Sequence, residues 1–321
     1  MTFRKIFFFL LLFLPFYLFS QEFKGSIKDK KTNEGLAYVN IGVPAKAWGF
    51  LSDENGNFKY KATSEKDDDT IQISLIGYQT IFINLKELKN KCDSNGIVFL
   101  EEITYQLSQV TITPNEYETK ILGNKNLDDL ECMELPQIKD TAYQRIAKEK
   151  GLDKNAVGIE IGNKIKIKKG QQIFIDKIQF KVCLDIKDTV IYRVNIYTKG
   201  KILSRHITAI GMLNEETMVN VMKEPIIIKT FGKKEVKSID LSSQNIEVTD
   251  DFIVALECIY SSDKKMKIGV SPSIFGSTDL FIRASFVSEW IKIPLIDLTF
   301  IGATVSYKKV PGFWQRLFKT I

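Results

Sequence analysis

Short runs in which apolar and polar residues alternate recur along this chain, and they constrain its fold more than any other feature. In residues 37–43 every second residue is apolar, and Gly, Asn and Asp cluster in the turns between such runs. Residues 157–310 hold about nine further runs of this kind. Alternation with a period of two is typical of strands that bury one face. The sequence therefore predicts an all-β protein built from antiparallel sheets.

The first twenty residues have the pattern of a secretory signal peptide. Arg4 and Lys5 precede an apolar run at residues 6–14, and Ser20 is followed by polar sequence. The run is shorter than the roughly 20 apolar residues of a membrane-spanning helix, although an uncleaved N-terminal anchor is the alternative. We therefore predict a protein exported to the periplasm or the outer cell surface, with no transmembrane span once residues 1–20 are removed.

The charge of the chain excludes one class of partner. The 45 basic and 39 acidic residues give a net charge of +6, and removal of Arg4 and Lys5 with the signal peptide lowers it to +4. The basic residues are scattered between acidic ones. A nucleic-acid-binding protein concentrates its positive charge on one face, so the sequence predicts no nucleic-acid partner.

Three ordered motifs occupy the first third of the chain. The first motif combines GSI at residues 25–27 with NEGLAYVNI at residues 33–41. The second is GFLSDENGNF at residues 49–58, and the third is SLIGY at residues 74–78. Together they resemble the carboxypeptidase-like regulatory domain, a family common in exported proteins of Bacteroidetes-type bacteria. The resemblance implies a seven-stranded, transthyretin-like β-sandwich, a fold also grouped with carbohydrate-binding-like folds, over residues 21–113.

The remaining residues divide into three parts. Residues 114–156 are charged and alternate little, which predicts a linker with a short helix near residues 140–150. Residues 157–310 are predicted to form a second antiparallel β-sandwich of the jelly-roll type, and residues 311–321 a tail. The second half also resembles C-terminal halves of similar exported bacterial proteins, which carry no assigned activity.

Four cysteines, Cys92, Cys132, Cys183 and Cys258, allow three disulfide connectivities. Cys258 lies on the apolar face of its strand, whereas Cys183 lies on the opposite, polar face of its own. This pattern disfavours a bridge between Cys183 and Cys258 and predicts that Cys258 is a small buried apolar residue. The disulfide state of the four cysteines stays open at this point.

The residue inventory gives little support for catalysis. The chain has one histidine, His206, and no Cys-x-x-Cys pair, so a zinc carboxypeptidase site lacks its ligands. A Ser-His-Asp triad would have to use His206, and no Gly-x-Ser-x-Gly motif accompanies it. We predict no catalytic residue, no metal site and no cofactor. A hydrolase that uses two carboxylates remains an alternative, with candidate acids at Glu160, Asp185, Asp188, Asp250, Asp251, Glu257 and Glu289.

Aromatic residues offer a second alternative, a sugar-stacking surface. The candidates for ligand contact are Trp48, Tyr60 and Tyr78 in the first domain and Trp290 in the second. Arg193 and Asn195 alternate with an apolar face and are predicted to lie on a solvated sheet surface. The leading hypothesis is a non-catalytic exported binding or scaffolding protein of the bacterial envelope, whose partner is an unidentified envelope protein or glycan. The alternatives are a carbohydrate-binding module protein that assists polysaccharide uptake and the two-carboxylate hydrolase.

Overall fold

The computed structural model describes residues 22–46, 48–61, 66–103, 117–135, 155–168, 170–199, 218–272, 278–292 and 298–308. These residues form 22 strands, one α-helix and two short 3-10 turns, which confirms the all-β prediction. The predictions for residues 1–20, for a helix at 140–150, for His206 and for the tail at 311–321 fall outside the described residues.

The N-terminal part is a sandwich of seven strands, called here the first sandwich. Its strands are β1 (Glu22–Asp29), β2 (Asn40–Val43), β3 (Trp48–Leu51), β4 (Asn57–Lys61), β5 (Thr70–Ser74), β6 (Ile81–Asn84) and β7 (Ile97–Leu100). One sheet has the order β4-β1-β7 and the other the order β3-β2-β5-β6. Ile27, Ile73 and Leu100 are fully buried between them. The seven-stranded sandwich is thus as the sequence motifs implied.

The second motif, residues 49–58, contains a tight turn that depends on Asp53 and Gly56. Asp53 Oδ1 accepts hydrogen bonds from the backbone N–H groups of Asn55 and Asn57, at 2.9 and 2.7 Å. Gly56 has a φ of +80°, and a Cβ at this position would lie 2.5 Å from the carbonyl oxygen of Ile27. Only glycine combines that φ with so close an approach, so the turn holds β4 against β1.

A helix, α1 (Leu85–Ser94), follows β6 and was missed by the sequence analysis. Asn84 caps its N-terminus, because its side-chain oxygen accepts a 2.7 Å hydrogen bond from the backbone N–H of Glu87. Leu85 and Leu88 are buried against the first sandwich. The Asn84-x-x-Glu87 spacing was the available signal, since it has the form of a capping box.

The second sandwich contains the other fifteen strands. They are β8 (Tyr117–Gly123), β9 (Glu131–Leu135), β10 (Glu160–Ile165), β11 (Ile173–Cys183), β12 (Thr189–Lys199), β13 (Met218–Asn220), β14 (Ile226–Phe231), β15 (Lys234–Asp240), β16 (Ile246–Val248), β17 (Phe252–Ser261), β18 (Met266–Pro272), β19 (Thr278–Arg283), β20 (Ile291–Lys292), β21 (Leu298–Thr299) and β22 (Ile301–Lys308).

Two antiparallel sheets make up this second sandwich. One has the order β13-β12-β17-β10-β19-β20, with β14 also beside β12. The other has the order β21-β18-β11-β22-β8, with β15 and β16 beside β11 and β9 beside β18. Phe180, Tyr192 and Phe252 are fully buried in the core that the two sheets enclose.

The structure corrects the prediction of a linker at residues 114–156. Strand β8 pairs with β22, and β9 pairs with β18, so residues 117–135 belong to the second sandwich. Both strands carry many charged residues, as do many strands at sheet edges. That composition hid their alternation from the sequence analysis.

A disulfide joins Cys132 of β9 to Cys183 at the end of β11, with 5.7 Å between the two Cα atoms. Cys258 is unbonded and fully buried, as the alternation pattern predicted. Cys92 is also unbonded. Since β9 is only five residues long, the disulfide adds a covalent attachment to a short strand.

We predict that replacing Cys132 and Cys183 together by Ser and Ala lowers the free energy of unfolding by about 2–5 kcal/mol, because the bridge restricts the unfolded chain. Urea denaturation of the variant and the parent protein measures this difference. The control is Cys92→Ser, which should leave the midpoint unchanged. Peptide mapping without reductant should recover a 132–183 cross-link; a cross-link to residue 258 would contradict the structure.

Candidate functional site

Four charged side chains lie in a row across four neighbouring strands of the second sandwich. In the strand register Arg193 of β12 is opposite Glu257 of β17, Glu257 is opposite Glu160 of β10, and Glu160 is opposite Arg283 of β19. Directly opposite residues project to the same face of a sheet. All four are at most 8% exposed. We call these four residues the charged row.

Each carboxylate of the charged row is paired with an arginine. Arg193 contacts Glu257 Oε2 through Nε and Nη2, both at 2.8 Å. Arg283 Nη2 lies 2.8 Å from Glu160 Oε1 and donates to the hydroxyl of Tyr197 at 2.6 Å. The Tyr197 hydroxyl donates in turn to Glu160 Oε2 at 2.9 Å. Buried charges require such partners, and the register supplies them.

Two like charges are neighbours at the centre of the charged row, where Glu160 lies opposite Glu257. Burial raises the pKa of the Glu160 carboxyl above its ordinary value, Arg283 opposes this rise and the charge of Glu257 adds to it. Within the described residues, Glu257 Oε1 and Arg283 Nε have no hydrogen-bond partner. The row is therefore paired in charge but only partly satisfied in hydrogen bonds.

Arg193 also binds the first sandwich. Its Nη1 donates to the backbone oxygen of Tyr38, and its Nη2 donates to Asn40 Oδ1, both at 2.7 Å. Tyr38 has a φ of +55°, a conformation that costs a non-glycine residue of order 1–3 kcal/mol. The contact thus orients a strained backbone carbonyl of one domain toward a buried cation of the other.

The prediction that Arg193 and Asn195 lie on a solvated surface is wrong. They are 1% and 2% exposed, because the first sandwich covers this face of the sheet. Asn195 donates to Glu257 Oε2 at 3.3 Å and accepts from Asn220 Nδ2 at 2.9 Å. The neighbouring strand β17 carried a sequence signal for this coverage, because Ile253 and Ala255 make its second face apolar as well. Strands that are apolar on both faces are covered on both faces.

A glycine notch on the first sandwich provides a second contact between the domains. Gly42 and Gly49 are opposite each other on β2 and β3. A Cβ at Gly42 would lie 2.9 Å from the ring of Phe286, and one at Gly49 would lie 3.1 Å from it. The ring of Phe286 therefore packs directly on backbone, which larger residues at either position would prevent.

Two clefts flank the Arg193 contact, and Tyr38 lines both. The first cleft, of about 1280 Å³, lies between residues 49–59 of the first sandwich and residues 155–158 and 259–260 of the second. The second cleft, of about 880 Å³, lies between residues 75–78 and residues 223–229. Both are open and are lined by the two domains together.

The four aromatic residues proposed from the sequence lie in three different places. Trp48 is 38% exposed, and its ring centroid lies 5.2 Å from that of the buried Tyr60. Tyr78 lines the second cleft. Burial and, to a smaller extent, a hydrogen bond to Asp29 raise the pKa of Tyr78 to about 12. Trp290 packs over the guanidinium of Arg283, 4.5 Å from its Cζ. They do not form one binding surface.

Two further features concern only the described part of the chain. There, no helix has both the length and the apolar character needed to cross a bilayer. In the same residues, no group of three or more His, Cys, Asp or Glu side chains is arranged to hold a metal ion.

We predict that Arg193→Ala lowers the free energy of unfolding by about 3–5 kcal/mol, because it leaves Glu257 buried without its cation. Chemical denaturation followed by tryptophan fluorescence measures this loss. The matched control is Lys30→Ala, which removes an exposed ion pair with Glu101 and should change stability by less than about 1 kcal/mol. Equal effects of the two substitutions would show that Arg193 is not a buried anchor.

The raised pKa of Glu160 predicts a pH dependence. Between the ordinary pKa of glutamate and the raised one, the folded protein holds a proton that the unfolded chain has lost, so stability falls as pH rises through this interval. Glu160→Gln cannot ionise and should show a shallower fall. Denaturation curves at intervals from pH 4 to 8 measure this, with Glu101→Gln at an exposed position as control; parallel curves for Glu160→Gln and the parent would refute the assignment.

Comparison with solved structures finds weak likenesses. The cysteine protease and lectin-like domains of Cwp84, a surface layer associated protein of Clostridium difficile, align with 47% of this chain at 10% identity and a TM-score of 0.29. The alignment covers 32% of that chain, so this protein spans about a third of its length.

Two other solved structures align over more of the chain. Carbohydrate-binding modules of the β-sandwich superfamily align with 83% of this chain and 94% of theirs, at 7% identity and a TM-score of 0.22. A structure of the Gt strain of infectious bursal disease virus aligns with 91% and 60%, at 10% identity and 0.22. TM-scores this low carry no argument about function.

Comparison of sequences is more specific. No curated protein matches the chain. A family model does match, and it covers the seven strands of the first sandwich from Phe23 onward, inside the limits 21–113 that the three motifs predicted. Residues 23–112 of this protein match the family model of the CarboxypepD_reg-like domain.

Proposed function

We propose that this protein is a non-catalytic, exported binding protein of the cell envelope, and that its two sandwiches act as one rigid unit with a ligand held in the first cleft. The observation that carries the proposal is the contact of Arg193 with Tyr38 and Asn40. It fixes the relative position of the domains, and thereby the shape of a cleft that neither domain forms alone.

The position of the first cleft supports a binding role. Ligand sites occur preferentially at domain interfaces, and binding residues lie mostly on loops held by a rigid scaffold. Here the β3–β4 turn faces residues 155–158 and Tyr260 across the cleft. Because Arg193 and the glycine notch hold both walls in place, little ordering remains to oppose binding.

The burial of Glu160 and Glu257, two candidate carboxylates of a hydrolase that lie on neighbouring strands, supports a non-catalytic role. Glu160 and Glu257 are opposite each other, but both are at most 1% exposed and each is bound to an arginine. Two carboxylates of a glycosidase must reach a sugar and, in many families, a water molecule. This pair is instead enclosed by Arg193, Tyr197 and Arg283 of its own sheet.

Export is supported by two independent features. Residues 1–20 have the pattern of a signal peptide. The Cys132–Cys183 disulfide is a bond that persists in oxidising compartments and is rare in the cytosol. The proposed envelope location is supported by the resemblance of the motifs at residues 25–78 to a domain common in exported bacterial proteins.

A ligand in the first cleft predicts a local pattern of amide protection. When soluble envelope extract of the source cells is added, hydrogen exchange should slow in residues 50–59, 155–159 and 257–261, because bound ligand excludes water and damps local opening. Mass spectrometry of proteolytic fragments measures this exchange. Strand β15, at residues 234–240, lies outside the cleft and serves as the internal control. Uniform slowing, or none, would contradict a site in this cleft.

A further inference from the structure

We infer that the ligand of the first cleft is a neutral oligosaccharide, which forms hydrogen bonds with asparagine amides and packs on aromatic rings of both sandwiches. This inference rests on the proposed function, because it names the ligand class of the same cleft. It draws on four features of the lining: its amide groups, its aromatic rings, its charge and its size.

Four asparagines line the first cleft: Asn55, Asn57 and Asn95 from the first sandwich and Asn155 from the second. A primary amide both donates and accepts hydrogen bonds, as a sugar hydroxyl does. Four such groups in one cleft therefore match a ligand that is rich in hydroxyls. Carboxylates or ammonium groups alone would instead select a charged ligand.

The backbone holds two of these amides in fixed orientations. Asn95 Oδ1 accepts from the backbone N–H of Ile97, and Asn155 Oδ1 accepts from that of Val157, both at 3.0 Å. Within the described residues no hydrogen bond uses the Nδ2 group of either residue. In Asn57 the Nδ2 group is held instead of the oxygen, because Nδ2 donates to Asp53 Oδ2. The cleft thus presents both donors and an acceptor that are oriented before a ligand arrives.

Aromatic rings lie on both walls of the same cleft. Phe50 of the first sandwich stacks on Tyr60, with ring centroids 5.6 Å apart and planes 6° apart, so its position is fixed. Tyr260 of the second sandwich lines the opposite wall and is 46% exposed. Apolar ring faces beside oriented polar groups are the usual lining of a specific pocket, and pyranose rings offer C–H faces of matching shape.

The charge and size of the cleft narrow the class further. Lys24 and Lys59 are balanced by Asp53 and Glu54, so the lining has no net charge to favour an acidic sugar or a nucleotide. Asp53 is occupied by its turn. The volume of about 1280 Å³ exceeds the roughly 300–1,000 Å³ typical of small-molecule pockets, and it suits several sugar units.

The test is binding of the purified protein to an array of defined neutral and acidic oligosaccharides, with titration calorimetry of the hits. We expect neutral oligosaccharides to bind and Tyr260→Ala to weaken them roughly tenfold. Asn155→Asp keeps the acceptor for Val157 but replaces the Nδ2 donor, so it should also weaken binding without removing the turn. The matched control is Phe231→Ala, which deletes a ring that is 60% exposed away from the cleft. Equal affinities in the control and both cleft variants would overturn the inference.

Two treated extracts separate failure of this inference from failure of the proposed function. Periodate destroys vicinal diols, and protease destroys proteins. If exchange in the cleft slows with protease-treated extract but not with periodate-treated extract, the glycan assignment stands. The reverse pattern overturns it but leaves a binding protein with a protein ligand. Absence of slowing with untreated extract overturns both.

Discussion

The guanidinium of Arg193 connects the two halves of this protein. Arg193 neutralises Glu257 within its own sheet and donates to Tyr38 and Asn40 of the other domain. Because it is 1% exposed, its charge depends on all three partners. The clefts on either side exist only in the docked arrangement, since each takes its walls from both sandwiches.

Burying four charges in one sheet, of which Arg193 contacts the other domain, costs desolvation free energy. The desolvation penalty of a buried ion pair often cancels its Coulombic attraction, and an apolar replacement of similar volume is often as stable. What the charged row adds is directionality. The planar guanidinium of Arg193 satisfies its donors in one arrangement only, whereas an apolar interface would tolerate sliding. We interpret Arg193, held in place by Glu257, as the residue that orients the two sandwiches relative to each other.

Local chemistry explains why the first sandwich was predictable. The Asp53–Gly56 turn depends on hydrogen bonds and a backbone conformation within a few residues, and the second motif of this chain contains it. Helix α1 was missed, although its Asn84 cap is equally local. The apolar alternation of β6 continues into Leu85, the first residue of the helix, and so conceals where the strand ends. The edge strands β8 and β9 were missed for another reason: their apolar faces are short and their composition is charged.

The sequence by itself determined the all-β fold, a first domain at residues 21–113, within which a family model matches residues 23–112, and the burial of Cys258. Each of these depends on periodicity or on motifs within one segment. Only the tertiary structure decided that Arg193 is buried, that Cys132 bonds to Cys183 and that Asn55 and Asn155 line the same cleft. These facts depend on strand order and domain docking, which bring together residues up to 155 positions apart. Alternation along a strand reveals which residues share a face, but not which element covers that face.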